Sequence, residues 1–83
     1  PRMGTMLAFF TALELDDVYR DELLIMTGLI NEINKETYQL YRIMRDTNPD
    51  GFTVYQANQY LRDIGKTPWT SGYRPKKIKK NAI

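Results

Sequence analysis

Residues 17–46 have the sequence DVYRDELLIMTGLINEINKETYQLYRIMRD and decide the fold. Their apolar positions recur at alternating intervals of four and three residues, with no proline in between. This spacing places one side chain per turn on a single stripe of an α-helix, as in a coiled-coil seam. It predicts one amphipathic helix over residues 17–46, about 45 Å long if straight. The stripe consists of Tyr19, Leu23, Met26, Ile30, Ile33, Thr37, Leu40 and Met44.

Gly28 leaves the continuity of this helix open. Glycine in a helix interior costs about 1 kcal/mol relative to alanine, so the run can divide near Thr27 and Gly28. Asn34 would then be the N-cap of a second helix. The stretch therefore predicts either one long helix or two consecutive ones.

The stripe is long for a chain of 83 residues. So small a domain buries only about 60% of its unfolded surface, and its other helices cannot easily cover such a face. We expect the stripe to pack partly on a second copy of the chain, forming a homodimer; the alternative is a purely intramolecular core. The expected dimer interface comprises Leu23, Met26, Ile30, Ile33, Leu40 and Met44.

The flanking segments complete a single all-α domain of four or five helices over residues 1–83. Residues 1–15 are rich in apolar side chains and predict a short buried helix or, alternatively, an extended arm exchanged with a partner. The run TNPDG at residues 47–51 is typical of a turn and ends the long helix.

Residues 53–81 begin with a helix start signal. Thr53 and Gln56 have the spacing of a capping box, in which each side chain binds the other's backbone amide. Gly65 is the expected stop of this helix. A second helix is expected to begin at Thr67 and Pro68 or, alternatively, at Pro75.

Charge is unevenly distributed along the chain. Residues 1–61 carry five basic and nine acidic side chains, a net charge of −4, whereas residues 62–83 carry seven basic side chains and one acid, a net charge of +6. Five basic side chains fall within residues 74–80. Such a segment neutralises phosphates, which supplies most of the non-specific affinity for nucleic acid. The alternative is a solvated basic tail without a ligand.

Residues 53–81 also resemble a helix-turn-helix unit. Within them, ANQYLRDIG at 57–65, the Thr67-Pro68 pair and IKKN at 78–81 look like the DNA-binding segment in the recombinase domain of large serine recombinases. In that family a helix ending in Leu and Gly precedes a Thr-Pro turn and a second helix that ends near an Asn. The catalytic serine domain has no counterpart here, so the resemblance implies DNA binding without recombination. It departs from the pattern at the second helix, where residues 74–81 offer only Ile78 as an inner apolar residue.

The expected DNA contacts combine charge with hydroxyl groups. Arg74 can pair with a guanine edge through two hydrogen bonds, while lysines act as point charges on phosphates. Trp69 is either a core anchor or, with Tyr73, a platform for unpaired bases if the ligand is single-stranded. The expected DNA-binding residues are Lys66, Thr67, Thr70, Ser71, Tyr73, Arg74, Lys76, Lys77, Lys79 and Lys80.

Composition argues against most enzyme classes. The chain has no Cys and no His, which excludes thiolate and imidazole catalysis and zinc sites built on these residues. The clustered acids Asp16, Asp17, Asp21 and Glu22 sit at a helix start, where the helix dipole favours them without any metal. We therefore expect no enzymatic activity, no metal, no cofactor and no small-molecule substrate. No apolar run is long enough for a membrane span, and a cytoplasmic location, in a host cell or at its nucleoid, is expected.

These patterns together predict a small dimeric protein that binds duplex DNA. By analogy with common bearers of this layout, it would regulate transcription or replication for a phage, plasmid or other mobile element. The alternative is a protein–protein adaptor or assembly subunit that uses the helical stripe and carries a basic tail.

Overall fold

The computed structural model describes residues 1–70 and shows an all-helical domain, as the sequence predicts. Helix α1 spans Met3–Leu13, α2 Asp17–Thr27, α3 Glu36–Thr47 and α4 Val54–Asp63, and a short 3₁₀ helix over Leu29–Glu32 follows α2. Helix α1 contacts both α3 and α4. Within these described residues, none of the helices is long and apolar enough to cross a bilayer.

The prediction of one continuous helix over residues 17–46 is wrong, and the break at Gly28 is present. Gly28 has φ 81° and ψ −1°, a left-handed conformation that glycine adopts at little cost and that ends α2. Its N–H donates to the carbonyl of Ile25 at 3.1 Å. After the 3₁₀ turn, Lys35 rather than Asn34 occupies the N-cap position of α3. The predicted stripe is therefore divided among three elements.

Helix α1 forms the centre of the core. The sequence left a helix and an extended arm open at this end of the chain, and the structure has the helix. It ends at Glu14, whose φ of 52° is left-handed and whose N–H reaches the carbonyls of Phe10 and Thr11. Its buried side chains belong to the single core cluster that α1 shares with α3 and α4. They are Met3, Met6, Leu7, Ala8 and Phe10.

The predicted dimer interface does not form one surface. Met44 is 3% exposed and packs within the core, so it is not available to a second copy. The break at Gly28 causes this, because side chains before and after it no longer project from one straight helix. Partly buried against the core are Leu23, Ile30 and Leu40. Exposed to solvent are Met26 and Ile33.

Helix α2 exposes a different apolar set, which we call the α2 outer face. The inner side of the helix buries Leu24 completely. The outer side carries apolar side chains that are all more than half exposed, although such side chains are usually buried. The α2 outer face consists of Val18, Tyr19, Ile25 and Met26.

The start of α4 confirms the capping box. The Thr53 hydroxyl accepts from the N–H of Gln56 at 3.0 Å, and the Gln56 side-chain oxygen accepts from the N–H of Thr53 at 2.9 Å. Before it, Asn48 ends α3 by donating from its side-chain amide to the Met44 carbonyl at 2.8 Å. The turn between α3 and α4 is thus closed by side chains at both ends.

The helix predicted to begin at Thr67 and Pro68 is not formed within residues 1–70. Helix α4 is followed by Gly65 at φ 78°, and the chain from Lys66 to Thr70 is non-helical. The reason is that Trp69 turns into the core instead of continuing along a helix axis. The structure thus has the helix expected after Thr53, and the alternative start of the next helix, at Pro75, lies outside the described residues.

Candidate nucleic-acid interface

A buried amide fixes the chain where it leads into the basic segment. Asn58 on α4 is 2% exposed. Its Oδ1 accepts from the N–H of Trp69 at 2.8 Å and, more weakly, from the N–H of Thr70 at 3.4 Å. Its Nδ2 donates to the Thr70 hydroxyl at 2.8 Å. We call these bonds the Asn58 clamp; they satisfy a buried amide and hold residues 69–70 on α4.

Trp69 is a core residue, which confirms the core-anchor interpretation. Its ring is 7% exposed and lies 5.8 Å from the Tyr41 ring, edge to face, and 6.4 Å from the Phe52 ring. A Cβ at Gly4 would lie 3.3 Å from the Cα of Trp69, so the missing side chain lets α1 approach this segment closely. A buried ring offers no open face to an unpaired base, which argues against base stacking by Trp69.

A cleft of about 970 Å³ opens beside Trp69, and we call it the Trp69 cleft. Four of the residues that line it carry hydroxyls and two carry guanidinium groups: Thr5, Thr37, Thr67 and Thr70, and Arg2 and Arg62. Glu32 is the single carboxylate among the described residues that line it. Hydroxyl and guanidinium groups are the usual protein partners of phosphate oxygens. The remaining lining residues are Pro1, Met3, Gly4, Leu29, Pro68 and Trp69.

Arg62 is the charged side chain that best indicates which kind of ligand the Trp69 cleft binds. The side chain is half-buried, and it forms no ion pair with any acid of residues 1–70. A guanidinium that has lost part of its water shell gains from a bound anion, because the anion replaces the lost hydration. Arg62 therefore favours an anionic ligand in the Trp69 cleft.

The predicted DNA-binding residues within residues 1–70 are divided in role. Thr67 and Thr70 line the Trp69 cleft. Lys66 instead forms an ion pair with Glu36, the first residue of α3, at 2.9 Å. The pair is exposed, and such pairs contribute about 0–1 kcal/mol to stability. The others lie outside the described residues: Ser71, Tyr73, Arg74, Lys76, Lys77, Lys79 and Lys80.

The outer face of α4 carries exposed aromatic and amide side chains that are not among the predicted DNA-binding residues. Tyr55 and Tyr60 are at the rim and exposed, and Gln59 between them donates to the Asp63 carboxylate at 3.1 Å. A glutamine amide can form two hydrogen bonds with adenine in the major groove. The signal was in the sequence, since these residues alternate with the buried Ala57 and Leu61 at helical spacing.

A second cleft, of about 700 Å³, contains a buried arginine that the sequence analysis missed. The Arg20 guanidinium donates to the Leu15 carbonyl and to the Asp17 carboxylate. Arg45 approaches the same carboxylate at 3.4 Å and lies 5.6 Å above the Tyr41 ring centre. The spacing of Asp17 and Arg20, three residues apart on a helix, was the available signal.

Tyr41 lies in the same cleft and keeps its proton. Burial raises the pKa of the Tyr41 hydroxyl, and the positive charges of Arg20 and Arg45 offset part of that effect. At neutral pH this hydroxyl is therefore a neutral group and not a base. The Asp17 carboxylate already pairs with both arginines, so this cleft has less need of an external anion than the Trp69 cleft.

The acids at the start of α2 have structural roles. The Asp16 side chain accepts from the N–H of Tyr19 at 3.4 Å and caps the helix. Asp17 pairs with Arg20 and Arg45. Within residues 1–70, no group of three or more acids forms a set that could hold a metal ion.

No protein-family model, curated protein or solved structure matches this chain. Its function is therefore inferred from the chemistry of its own residues. The Trp69 cleft is the stronger candidate, because it joins donors that have no partner among residues 1–70 to the start of the basic segment.

Proposed function

We propose that this protein binds duplex DNA, with residues 74–80 on the phosphate backbone and the Trp69 cleft beside them. The Asn58 clamp carries the proposal. It places the point where the chain enters residues 71–83 on the rim of the Trp69 cleft. That segment holds five basic side chains and no acid.

The net charge of residues 1–70 also supports binding of DNA at the basic end of the chain. Residues 1–70 carry seven basic and ten acidic side chains, a net charge of −3. Phosphates are repelled by this net charge except where basic groups are concentrated, at the Trp69 cleft and along residues 74–80. In our proposal the lysines bind phosphates, Arg74 contacts a base edge, and Arg62, Thr67 and Thr70 bind the adjacent backbone.

We further propose a homodimer that uses the α2 outer face. Its exposed side chains, Met26 among them, are apolar enough for contact with a second copy. Two-fold symmetry would place two copies of the DNA-binding end on half-sites about 34 Å apart or a multiple of that distance. Such a protein would regulate transcription or replication for a mobile element, in the cytoplasm where its DNA lies.

The test is duplex-DNA binding at several salt concentrations. Each neutralised phosphate contributes about −0.9 to the slope of log affinity against log salt. Changing Lys76, Lys77, Lys79 and Lys80 together to Gln should therefore reduce the slope by about 3 to 4 and weaken binding. The control variant, Lys35→Gln with Arg42→Gln, removes two exposed charges of the folded part and should change little. Absence of binding by the unmodified protein at low salt would overturn the proposal.

The second candidate function is that of a protein–protein adaptor. The α2 outer face favours it, because each of its four side chains is more than half exposed in the described part of the chain. Light scattering separates this candidate from the dimer. A dimer that becomes monomeric in Met26→Glu would support contact between copies, whereas a monomer at all concentrations would leave the α2 outer face to a different protein.

A further inference from the structure

We infer that the Trp69 cleft holds a phosphate group at the first turn of α1. The inference rests on the proposed function and deepens it, because it names the group bound in the cleft and the atoms that bind it. Three independent features of the cleft point to this ligand: the open end of a helix, a buried donor without a partner within residues 1–70, and a half-buried arginine.

The first feature is the uncapped start of α1. Arg2 is the N-cap residue, in extended conformation, and its side chain makes no capping bond. The first helical bond runs from the N–H of Met6 to the Arg2 carbonyl at 3.1 Å. Within residues 1–70, the N–H groups of Met3, Gly4 and Thr5 have no such partner. Free amides at the positive end of a helix dipole bind anions.

The second feature is the indole of Trp69. Its Nε1–H is buried and has no hydrogen-bond partner within residues 1–70. Cδ1, the atom bonded to Nε1, lies 3.6 Å from the position that a Cβ of Gly4 would take. The Cδ1 side of the indole therefore lies beside Gly4, in the first turn of α1. Buried donors are nearly always satisfied, so an unsatisfied one beside free amides points to an acceptor.

The third feature is the balance of charge. Arg2 and Arg62 line the cleft against Glu32, so the lining side chains carry a net charge of +1. A phosphate offers acceptor oxygens in several directions, which suits amides, indole and guanidinium approaching from different elements. Glu32 opposes the anion, and we expect free phosphate to bind with a dissociation constant of about 1 mM. That affinity suits one phosphate among several along a DNA backbone.

The experiment follows the indole resonance of Trp69 by nuclear magnetic resonance. The chain contains one tryptophan, so its Nε1–H gives one signal. The full-length protein is titrated with inorganic phosphate at constant ionic strength, with chloride as the balancing anion. We expect a saturable shift of the indole signal together with the amide signals of Gly4 and Thr5. Absence of a saturable indole shift would overturn the inference.

Two variants test which atoms bind. Arg62→Gln should weaken phosphate binding by about tenfold, because a charge-assisted hydrogen bond is lost. Arg42→Gln, an exposed arginine outside the cleft, should leave the affinity unchanged. Trp69→Phe keeps an aromatic ring and removes the N–H, and it should weaken the shifts at Gly4 and Thr5. Equal affinities in all three variants would contradict the proposed site, provided that their far-ultraviolet circular dichroism matches that of the unmodified protein.

A parallel titration with duplex DNA separates this inference from the proposed function. Indole shifts with both ligands would support both. A shift with inorganic phosphate and no binding of DNA would retain the site, as one for free phosphate, and overturn the DNA proposal. DNA binding without any indole shift in either titration would retain the DNA proposal and overturn the phosphate site.

Discussion

Replacement of Asn58 by alanine should destabilise the domain strongly. The change removes the two hydrogen bonds of 2.8 Å to Trp69 and Thr70. Each contributes about 0.5–1.5 kcal/mol, and the N–H of Trp69 left unpaired costs about 1–3 kcal/mol. Because these contributions overlap, we expect a loss of about 2–4 kcal/mol in the free energy of unfolding. A domain of this size has about 4–12 kcal/mol in total, so the loss is a large fraction.

The assay is urea denaturation with two probes. Far-ultraviolet circular dichroism follows the helices, and the fluorescence of the single tryptophan follows the clamped segment. Gln59→Ala is the matched control, since Gln59 is the next residue on α4, is exposed and bonds only Asp63 among the described residues. We expect this control to change stability by less than about 0.5 kcal/mol.

Unfolding of Asn58→Ala and Gln59→Ala at the same urea concentration would refute a stabilising role of the Asn58 clamp. An unchanged tryptophan emission maximum in folded Asn58→Ala would show, in addition, that Trp69 stays buried without the clamp. A fluorescence transition that precedes the loss of helix would instead show that the clamp holds residues 69–70 locally. That last outcome would agree with its proposed role at the entrance to the basic segment.

Three further outcomes are expected. Leu24→Ala should lower the free energy of unfolding by about 2–5 kcal/mol, because Leu24 is fully buried. Ile25→Ala should lower it by less than about 0.5 kcal/mol, because Ile25 is 62% exposed. Chemical denaturation of both variants tests which face of α2 packs on the core. Gly28→Ala should cost about 1–2 kcal/mol by the same measurement, because φ is 81°. Within residues 1–70, no atom beyond Gly28 and its two chain neighbours lies within 4 Å of the added Cβ, so the cost is conformational. The raised pKa of Tyr41 means that the unfolded chain releases this proton at a lower pH than the folded one, so stability falls as the pH rises above about 10. Tyr41→Phe should make that fall shallower, and equal pH dependence in the two proteins would contradict the assignment.

The sequence was most informative where the signal was local. The capping box of Thr53 and Gln56 depends only on residues close together in sequence, and the structure contains both of its hydrogen bonds. For residues 1–15 the composition left a buried helix and an extended arm open, and the structure has the helix, with five buried side chains among its eleven residues. The all-helical class follows from such local signals, since each predicts its own element without knowledge of the others.

The sequence was least informative where a bend changed which side chains share a surface. Met26 and Met44 belong to the same predicted stripe, yet one is 78% exposed and the other is in the core. Residues at heptad spacing share one face only along a continuous helix. The left-handed conformation of Gly28 ends α2, so the residues before and after it do not share a face. The burial of Arg20 was missed for a similar reason. Its carbonyl partner, Leu15, comes within reach because the chain turns at Glu14, which no periodic pattern records.

The close approach of Gly4 to Trp69 has a consequence for synthesis of the chain. These residues are 65 positions apart, and the contact joins the first helix to the last described segment. At about 5–20 residues per second, a ribosome adds Trp69 about 3–13 seconds after Gly4. The helices that pack on α1 are added during that interval, and the indole that completes its enclosure is added only at the end of it. The nascent chain thus presents a strongly apolar segment to chaperones before its own core can shelter it.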